Sequence, residues 1–158
     1  MRLFYLLLLN LVLTIPTAKS AELIQDWVKV CENRGAFAGR CYVSRTLNLK
    51  KTGKKLFQIA AGYPLDGEYP LILVTAPLGI YLPPGVRMQV DGTETYRAVI
   101  AYCNIDGCHA YYRLTKRTLN LFQRGRWLNV SFVDGTRKEH LFQVSLNGFT
   151  TALQQVRN

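Results

Sequence analysis

The sequence predicts an all-β domain of sandwich or barrel type with a short C-terminal helix. Three features carry this. Apolar and polar residues alternate over short segments, turn dipeptides recur between those segments, and a clear helical spacing of apolar residues arrives only after Gly148.

Taken in order, residues 23–30 read as a first strand. In residues 41–47, Cys41, Val43, Arg45 and Leu47 alternate with Tyr42, Ser44 and Thr46, and a partner strand resumes over 56–61. Between them KKTGKK places lysines around Gly53, the composition of an exposed hairpin loop. YPLILVTA, residues 69–76, is apolar without alternation and reads as a strand covered on both faces or lying deep in the core.

PLGIYLPPGVRMQVDG follows. Pro84 and Gly85 suit the central positions of a type II turn, since proline fixes its own φ and glycine accepts the positive φ after it. Val86, Met88 and Val90 then alternate with Arg87 and Gln89, and Asp91-Gly92 marks a hairpin turn. Residues 95–103 and 108–114 form the arms of another hairpin with CNIDGC at its tip. TLNLFQRG, 118–125, suits either a short helix or an irregular connection, with Gly125 as a helix stop. Residues 126–133 and 139–146 make a closing hairpin through Asp134-Gly135. Phe149, Ala152, Leu153 and Val156 have the spacing of an amphipathic helix packed on the sheet.

The first twenty residues, MRLFYLLLLNLVLTIPTAKS, read as a secretory signal peptide: Arg2, an apolar run broken only by Asn10 and Thr14, and small Ala18 and Ser20 before a cut at Ala21. The run is shorter than the roughly 20 apolar residues a membrane-spanning helix needs, and no cysteine stands at the cut to take a lipid anchor. The expected product is a single exported domain, residues 21–158, in the periplasm, at the outer-membrane surface or secreted. Loss of Arg2 and Lys19 lowers the formal charge from +10 to +8. That sign favours anionic partners: envelope lipid, lipopolysaccharide, or an acidic host-surface glycan or protein. Export makes nucleic acid the least suitable of the anions.

Four cysteines in an exported chain predict two disulfides, with three connectivities open. Proximity favours Cys103 with Cys108 across the hairpin and Cys31 with Cys41 around ENRGAFAGR. Loop entropy alone favours a longer cross-pairing such as Cys31 with Cys108, so energy does not decide. A catalytic thiol pair normally occupies CxxC at a helix start, where the dipole stabilises the thiolate; here the spacing is CxxxxC between strands. A metal would have to draw on Cys103, Cys108, His109 and His140, but neighbours Cys108 and His109 point to opposite faces of a strand, and no metal is assigned. His109 is expected to face solvent. Nucleophile-elbow, HExxH and phosphate-loop motifs are absent, so no catalytic residue and no cofactor are nominated.

The cations cluster: Lys50, Lys51, Lys54 and Lys55 in one loop; Lys116 and Arg117, then Arg124 and Arg126 beside Trp127; Arg137 and Lys138 in another loop. Each cluster alone fits a solvated loop tip or edge protection. Together they would make an anionic-surface site if the loops converge at one end of the domain. Trp127 and Tyr111 or Tyr112 are aromatic candidates for a partner, with a core position the plainer reading for Trp127.

DWVKVCE at 26–32, GRCYVSRTL at 39–47, APLGIYLPPGV at 76–86, CNIDGCHA at 103–110 and VSLNGFTTAL at 144–153 occur in that order. The chain thereby resembles the invasion-associated locus B family of exported bacterial proteins. The resemblance implies an immunoglobulin-like β-sandwich in the periplasm or at the outer surface, and a family named for members that help bacteria enter host cells. It implies no catalytic residue and supports Cys31 with Cys41 and Cys103 with Cys108 as structural pairs. The reading that follows is a non-enzymatic envelope or surface protein binding an anionic component. The alternatives are a thiol oxidoreductase or chaperone using Cys103 and Cys108, and a structural subunit of an envelope complex.

Overall fold

The structure is a computed structural model and describes residues 27–32, 35–65 and 67–157. The expected signal peptide and the first residues of the expected strand 23–30 lie outside the described residues. Among the described residues nine strands are formed: β1 (Val28–Glu32), β2 (Arg40–Asn48), β3 (Lys55–Gly62), β4 (Leu71–Ala76), β5 (Val86–Val90), β6 (Thr95–Asn104), β7 (Gly107–Arg113), β8 (Trp127–Val133) and β9 (Glu139–Ser145). Helix α1 (Lys116–Arg124) precedes β8 and helix α2 (Phe149–Gln154) follows β9.

All strand pairs are antiparallel and make one sheet in the order β1-β2-β3-β4-β7-β6-β5-β8-β9. The fold is all-β and β-sandwich-like because this sheet curls over on itself. β6 is the corner: its first half pairs with β5, from Thr95 opposite Gln89 to Ala98 opposite Val86, and its second half pairs with β7 up to Asn104 opposite Gly107. A register shift between Ile100 and Tyr102 separates the halves and bends the strand. The two arms then face each other. The Phe57 ring on β3 lies 6.3 Å from Phe132 on β8 and 5.2 Å from Phe142 on β9. Trp27 meets Phe149 of α2 edge-on at 4.9 Å.

The alternation in sequence maps onto this core. Val86, Met88 and Val90 are buried while Arg87 and Gln89 are partly exposed. β4 lies inside the sheet between β3 and β7 with Ile72, Val74 and Ala76 buried, so its unalternating apolar run marks a deep strand. Fully burying each such aliphatic side chain contributes about 1.5–3 kcal/mol relative to leaving it in water.

Local chemistry sets the connections, with some shifts from expectation. Of residues 118–125, those up to Arg124 belong to a helix, α1, whose N-cap Thr115 and N3 residue Thr118 bond each other's backbone and side chain reciprocally. Gly125 ends it in an extended conformation, and its reason is space: a Cβ there would strike Val90, Leu121 and Leu146. The proline turn lies one residue earlier than Pro84-Gly85 suggests. Gly85 N–H donates to Leu82 O at 2.9 Å, which puts Pro83 and Pro84 in the centre and Gly85 last. At Asp91-Gly92 both φ angles are positive, as a tight hairpin turn between β5 and β6 requires.

Because the sheet is antiparallel throughout, its connections sort into two ends. One, the loop end, carries residues 49–54 between β2 and β3, 77–85 between β4 and β5, Ile105-Asp106 between β6 and β7, and 134–138 between β8 and β9. The other, the helix end, carries α1, α2, the β5–β6 turn and residues 63–70.

Candidate functional site

The sequence-predicted cations do not converge on one end. Lys50, Lys51, Lys54 and Lys55 stand on the loop end with Arg137 and Lys138, whereas Lys116, Arg117, Arg124 and Arg126 stand on the helix end. The physical reason is topological: β7 and β8, which α1 links, both meet it at the end opposite the β2–β3 loop.

At the loop end, the lysine hairpin is closed by Leu49 N–H donating to Lys54 O and Gly53 N–H donating to Leu49 O, both at 2.8 Å. Gly53 has φ of 66°, the left-handed conformation that lets this tip turn. All four lysines are exposed, and none of them is in an ion pair among the described residues. The neighbouring 134–138 loop is held by its own acid. The Asp134 carboxylate accepts from Thr136 N–H at 2.8 Å, Thr136 Oγ1 at 2.6 Å and Lys138 N–H at 3.1 Å, and lies 2.7 Å from His140 Nε2. The His140 contact, then Thr136, holds that carboxyl well below the usual carboxylate range. Arg137 lies 3.4 Å over the Tyr81 ring, a cation–π contact that ties this loop to the β4–β5 connection.

The β6–β7 tip is clipped by Cys103–Cys108, with an S–S distance of 2.05 Å; Cys31–Cys41 joins β1 to β2 at 2.01 Å. The tip turn is tighter than the sequence suggests. Asn104 pairs with Gly107, leaving only Ile105 and Asp106 beyond the strands, and Asn104 Oδ1 accepts from Asp106 N–H at 2.9 Å. Gly107 has φ of 137°, and a Cβ there would strike the Ala76 carbonyl, so the tip lies directly on the end of β4.

His109, expected to face solvent, is buried. Its Nε2 lies 3.0 Å from Asn104 Oδ1 and its Nδ1 3.2 Å from Thr75 Oγ1, and Tyr102 stacks on it at 4.6 Å. Asn104 offers only an acceptor there, so the neutral ring protonated on Nε2 satisfies both contacts. Burial pushes the imidazole below its ordinary value, Asp106 pulls it up and Lys55 pushes it down. Lys55 and Asp106 both act on His109, so the lysine loop and the clipped tip share an electrostatic neighbourhood. The sulfurs are bonded to each other and Cys108 is buried between strands, so this hairpin offers no thiolate to a metal and no helix terminus to activate one.

At the helix end one of the cations, Arg117, is paired with an acid, and Arg124 lies in the last turn of α1. Arg117 Nη2 lies 3.1 Å from Glu94, whose other oxygen accepts from the Tyr96 hydroxyl at 2.8 Å. Burial, then that Glu94 contact, pushes Tyr96 up to about 12. Asp91 accepts from the Arg126 and Trp127 amides at 2.8 and 2.9 Å and so fixes the entrance to β8. Trp127 is 40% exposed, not a core residue, and lines an open cleft of about 530 Å³ with Arg126, Asn147 and Thr151. Arg117 and Arg124 line a second cleft of about 330 Å³. Tyr111 and Tyr112 are half-buried.

From sequence the clipped CNIDGC tip offers Ile105, Asp106 and His109 to a partner; Leu49, Leu78 and Leu82, the other apolar members of the loop end, give no such signal. Ile105 is 92% exposed, and Leu78, Leu82 and Leu49 are also exposed. Turn chemistry marks only where two of them sit: Leu82 precedes a Pro-Pro-Gly turn, and Ile105 sits between Asn104 and Asp106-Gly107.

These features define a disulfide-clipped, all-β domain whose distinctive surface is charge and projecting loops. The family model for Invasion associated locus B (IalB) protein matches residues 27–157, and the chain belongs to that family. Among solved structures it is similar to invasion associated protein B from Bartonella henselae, at 22% sequence identity over 73% of this chain and 82% of that one, with a TM-score of 0.64. That likeness bears on the fold. No curated protein matches.

Proposed function

We propose that this protein is an exported, non-enzymatic envelope or surface protein that supports host-cell interaction by binding an anionic surface component through its loop end. One observation carries the reading: Lys50, Lys51, Lys54 and Lys55 are exposed together on one hydrogen-bonded hairpin without ion-pair partners among the described residues. Ammonium groups so placed act beyond the protein surface over a screening length of about 10 Å at 0.1 M salt. The family membership supports the invasion context, and the two disulfides suit an oxidising compartment. No helix among the described residues is long and apolar enough to cross a membrane.

The test is binding of the mature protein to heparin, lipopolysaccharide and anionic vesicles, compared between about 0.05 and about 0.3 M salt. Affinity should fall with salt. It should fall by about a hundredfold or more when Lys50, Lys51, Lys54 and Lys55 are changed to Glu, since each lysine near an anionic surface contributes about 1 kcal/mol. Affinity that is absent, or indifferent to both changes, rejects the reading.

A further inference from the structure

The loop end combines its charge with more exposed apolar side chains on its connections than the helix end has. Leu49, Leu78, Leu82 and Ile105 are large apolar side chains exposed on connections at the loop end, against Leu65 and Trp127 on connections and strand starts at the helix end. Ile105 projects most, at 92% exposure.

These tips are held by structure behind them. Ile105 sits on a two-residue turn clamped by Cys103–Cys108 and by the Asn104 side chain. Leu82 opens a turn stiffened by Pro83 and Pro84 and closed by Gly85 N–H. Leu78 lies on a segment fixed to the next hairpin by Gly135 N–H donating to Gly79 O at 2.8 Å and Tyr81 N–H donating to Val133 O at 2.7 Å. Exposed aliphatic side chains scattered singly are ordinary; these differ in being held out on braced tips at the same end as the exposed lysine hairpin.

We propose that the loop end docks onto an anionic phospholipid bilayer, with Ile105, Leu82 and Leu78 entering the interfacial region and Lys50, Lys51, Lys54 and Lys55 held by lipid phosphates. The inference rests on the anionic-surface reading and goes further by choosing the partner. Separate aliphatic tips match a fluid surface that closes around each of them. A polyanionic glycan would satisfy the lysines and leave Ile105 in water, and the large clefts that suit a compact ligand open at the helix end. Paired signals of this kind, a basic patch plus a short apolar insertion, give stable and salt-sensitive membrane association. Asp106 is the acid of the tip, and it opposes the approach.

The test uses the mature, oxidised protein with vesicles of phosphatidylglycerol and phosphatidylethanolamine, vesicles of phosphatidylcholine, and heparin. The double variant Ile105→Ser, Leu82→Ser should weaken binding to anionic vesicles by about tenfold and leave heparin affinity unchanged. Asp106→Asn should strengthen vesicle binding by a few-fold. An Ile105→Trp variant should gain fluorescence quenching by brominated lipid that the parent protein does not show.

Vesicle binding as tight in the double Ser variant as in the parent, or an unquenched tryptophan at position 105, overturns bilayer insertion while the electrostatic reading stands on heparin binding. A parent protein that binds heparin and ignores anionic vesicles does the same. Failure to bind either at low salt removes both proposals. Melting temperatures equal to the parent's show that the variants fold.

Discussion

The two ends of the sheet carry similar numbers of cations and use them differently. At the helix end, Arg117 faces Glu94 and lines a cleft and Arg124 lies in the last turn of α1, where a cation complements the helix dipole, while Lys116 opens that helix and Arg126 is held to Asp91 through its backbone amide alone. At the loop end the four lysines are left to solvent on a hairpin tip. A cluster of positive charge in a sequence is therefore not one kind of feature. Its meaning is set by whether acids and helix termini nearby already use it.

The sharpest way to break that comparison is to reverse each cluster separately. Changing Lys50, Lys51, Lys54 and Lys55 to Glu, or Lys116, Arg117, Arg124 and Arg126 to Glu, alters total charge by the same amount. The loop-end variant should lose about a hundredfold or more in affinity for anionic vesicles, with its melting temperature kept. The helix-end variant should change affinity by less than about threefold; Arg124→Glu alone, at the C-terminal turn of α1, should cost up to about 1 kcal/mol, and Lys116→Glu at its first residue should offset part of that. Equal losses of affinity would show that net charge, not position, governs binding.

Gly125→Ala should be of a size with loss of a disulfide, and it belongs to the helix end alone. The added methyl meets Val90, Leu146 and the Leu121 carbonyl together, so about 1–3 kcal/mol should be lost in urea denaturation. Gly53→Ala, with open space around it at the loop end, should cost about 1 kcal/mol, from backbone conformation only. A harmless Gly125→Ala would mean that α1 and the sheet can separate.

The two disulfides refine the same contrast. Replacing Cys103 and Cys108 by Ser should cost about 2 kcal/mol, and replacing Cys31 and Cys41 about 3 kcal/mol, from loop entropy. Binding should order them the other way. Only the first pair clamps the Ile105 tip, so vesicle affinity should fall in that variant and persist in the other, measured where both are folded.

Strand order was less legible than strand existence. Alternation located β5 closely because that strand buries one face, the lysine-rich and Asp134-Gly135 turns bounded β2, β3, β8 and β9, and Asp91-Gly92 marked its hairpin because few dipeptides tolerate two positive φ angles. The β6–β7 hairpin is legible from its tip, but nothing local says that β7 also pairs with β4, or that β6 turns a corner at Ile100 to meet β5, since these depend on residues far apart in the chain. That long-range order is what sends the lysine hairpin and α1 to opposite ends. His109 was misjudged for a related reason: its partners Thr75 and Asn104 come from a neighbouring strand and a tip turn, and strand alternation predicts a side without predicting what covers it.

The smallest expected effect lies in the pH dependence of that histidine. Burial depresses its folded-state pKa, Lys55 adds to the depression and Asp106 opposes it. The unfolded chain takes up a proton near the ordinary value of about 6.5, while the folded protein resists it until a lower pH. Over that interval the unfolded state binds more protons, so stability is full above about pH 6.5 and declines as pH falls toward the folded value. His109→Asn should flatten this part of the profile. Lys55→Gln should make it shallower, because one cause of the depression is gone, whereas Lys116→Gln at the helix end should leave it unaltered. The check is the urea midpoint followed from about pH 7.5 to about 5.5, with the His109 ring titrated by NMR in the same range. A folded-state pKa found above the ordinary value would reverse the slope and show that the ring is not held neutral between Thr75 and Asn104.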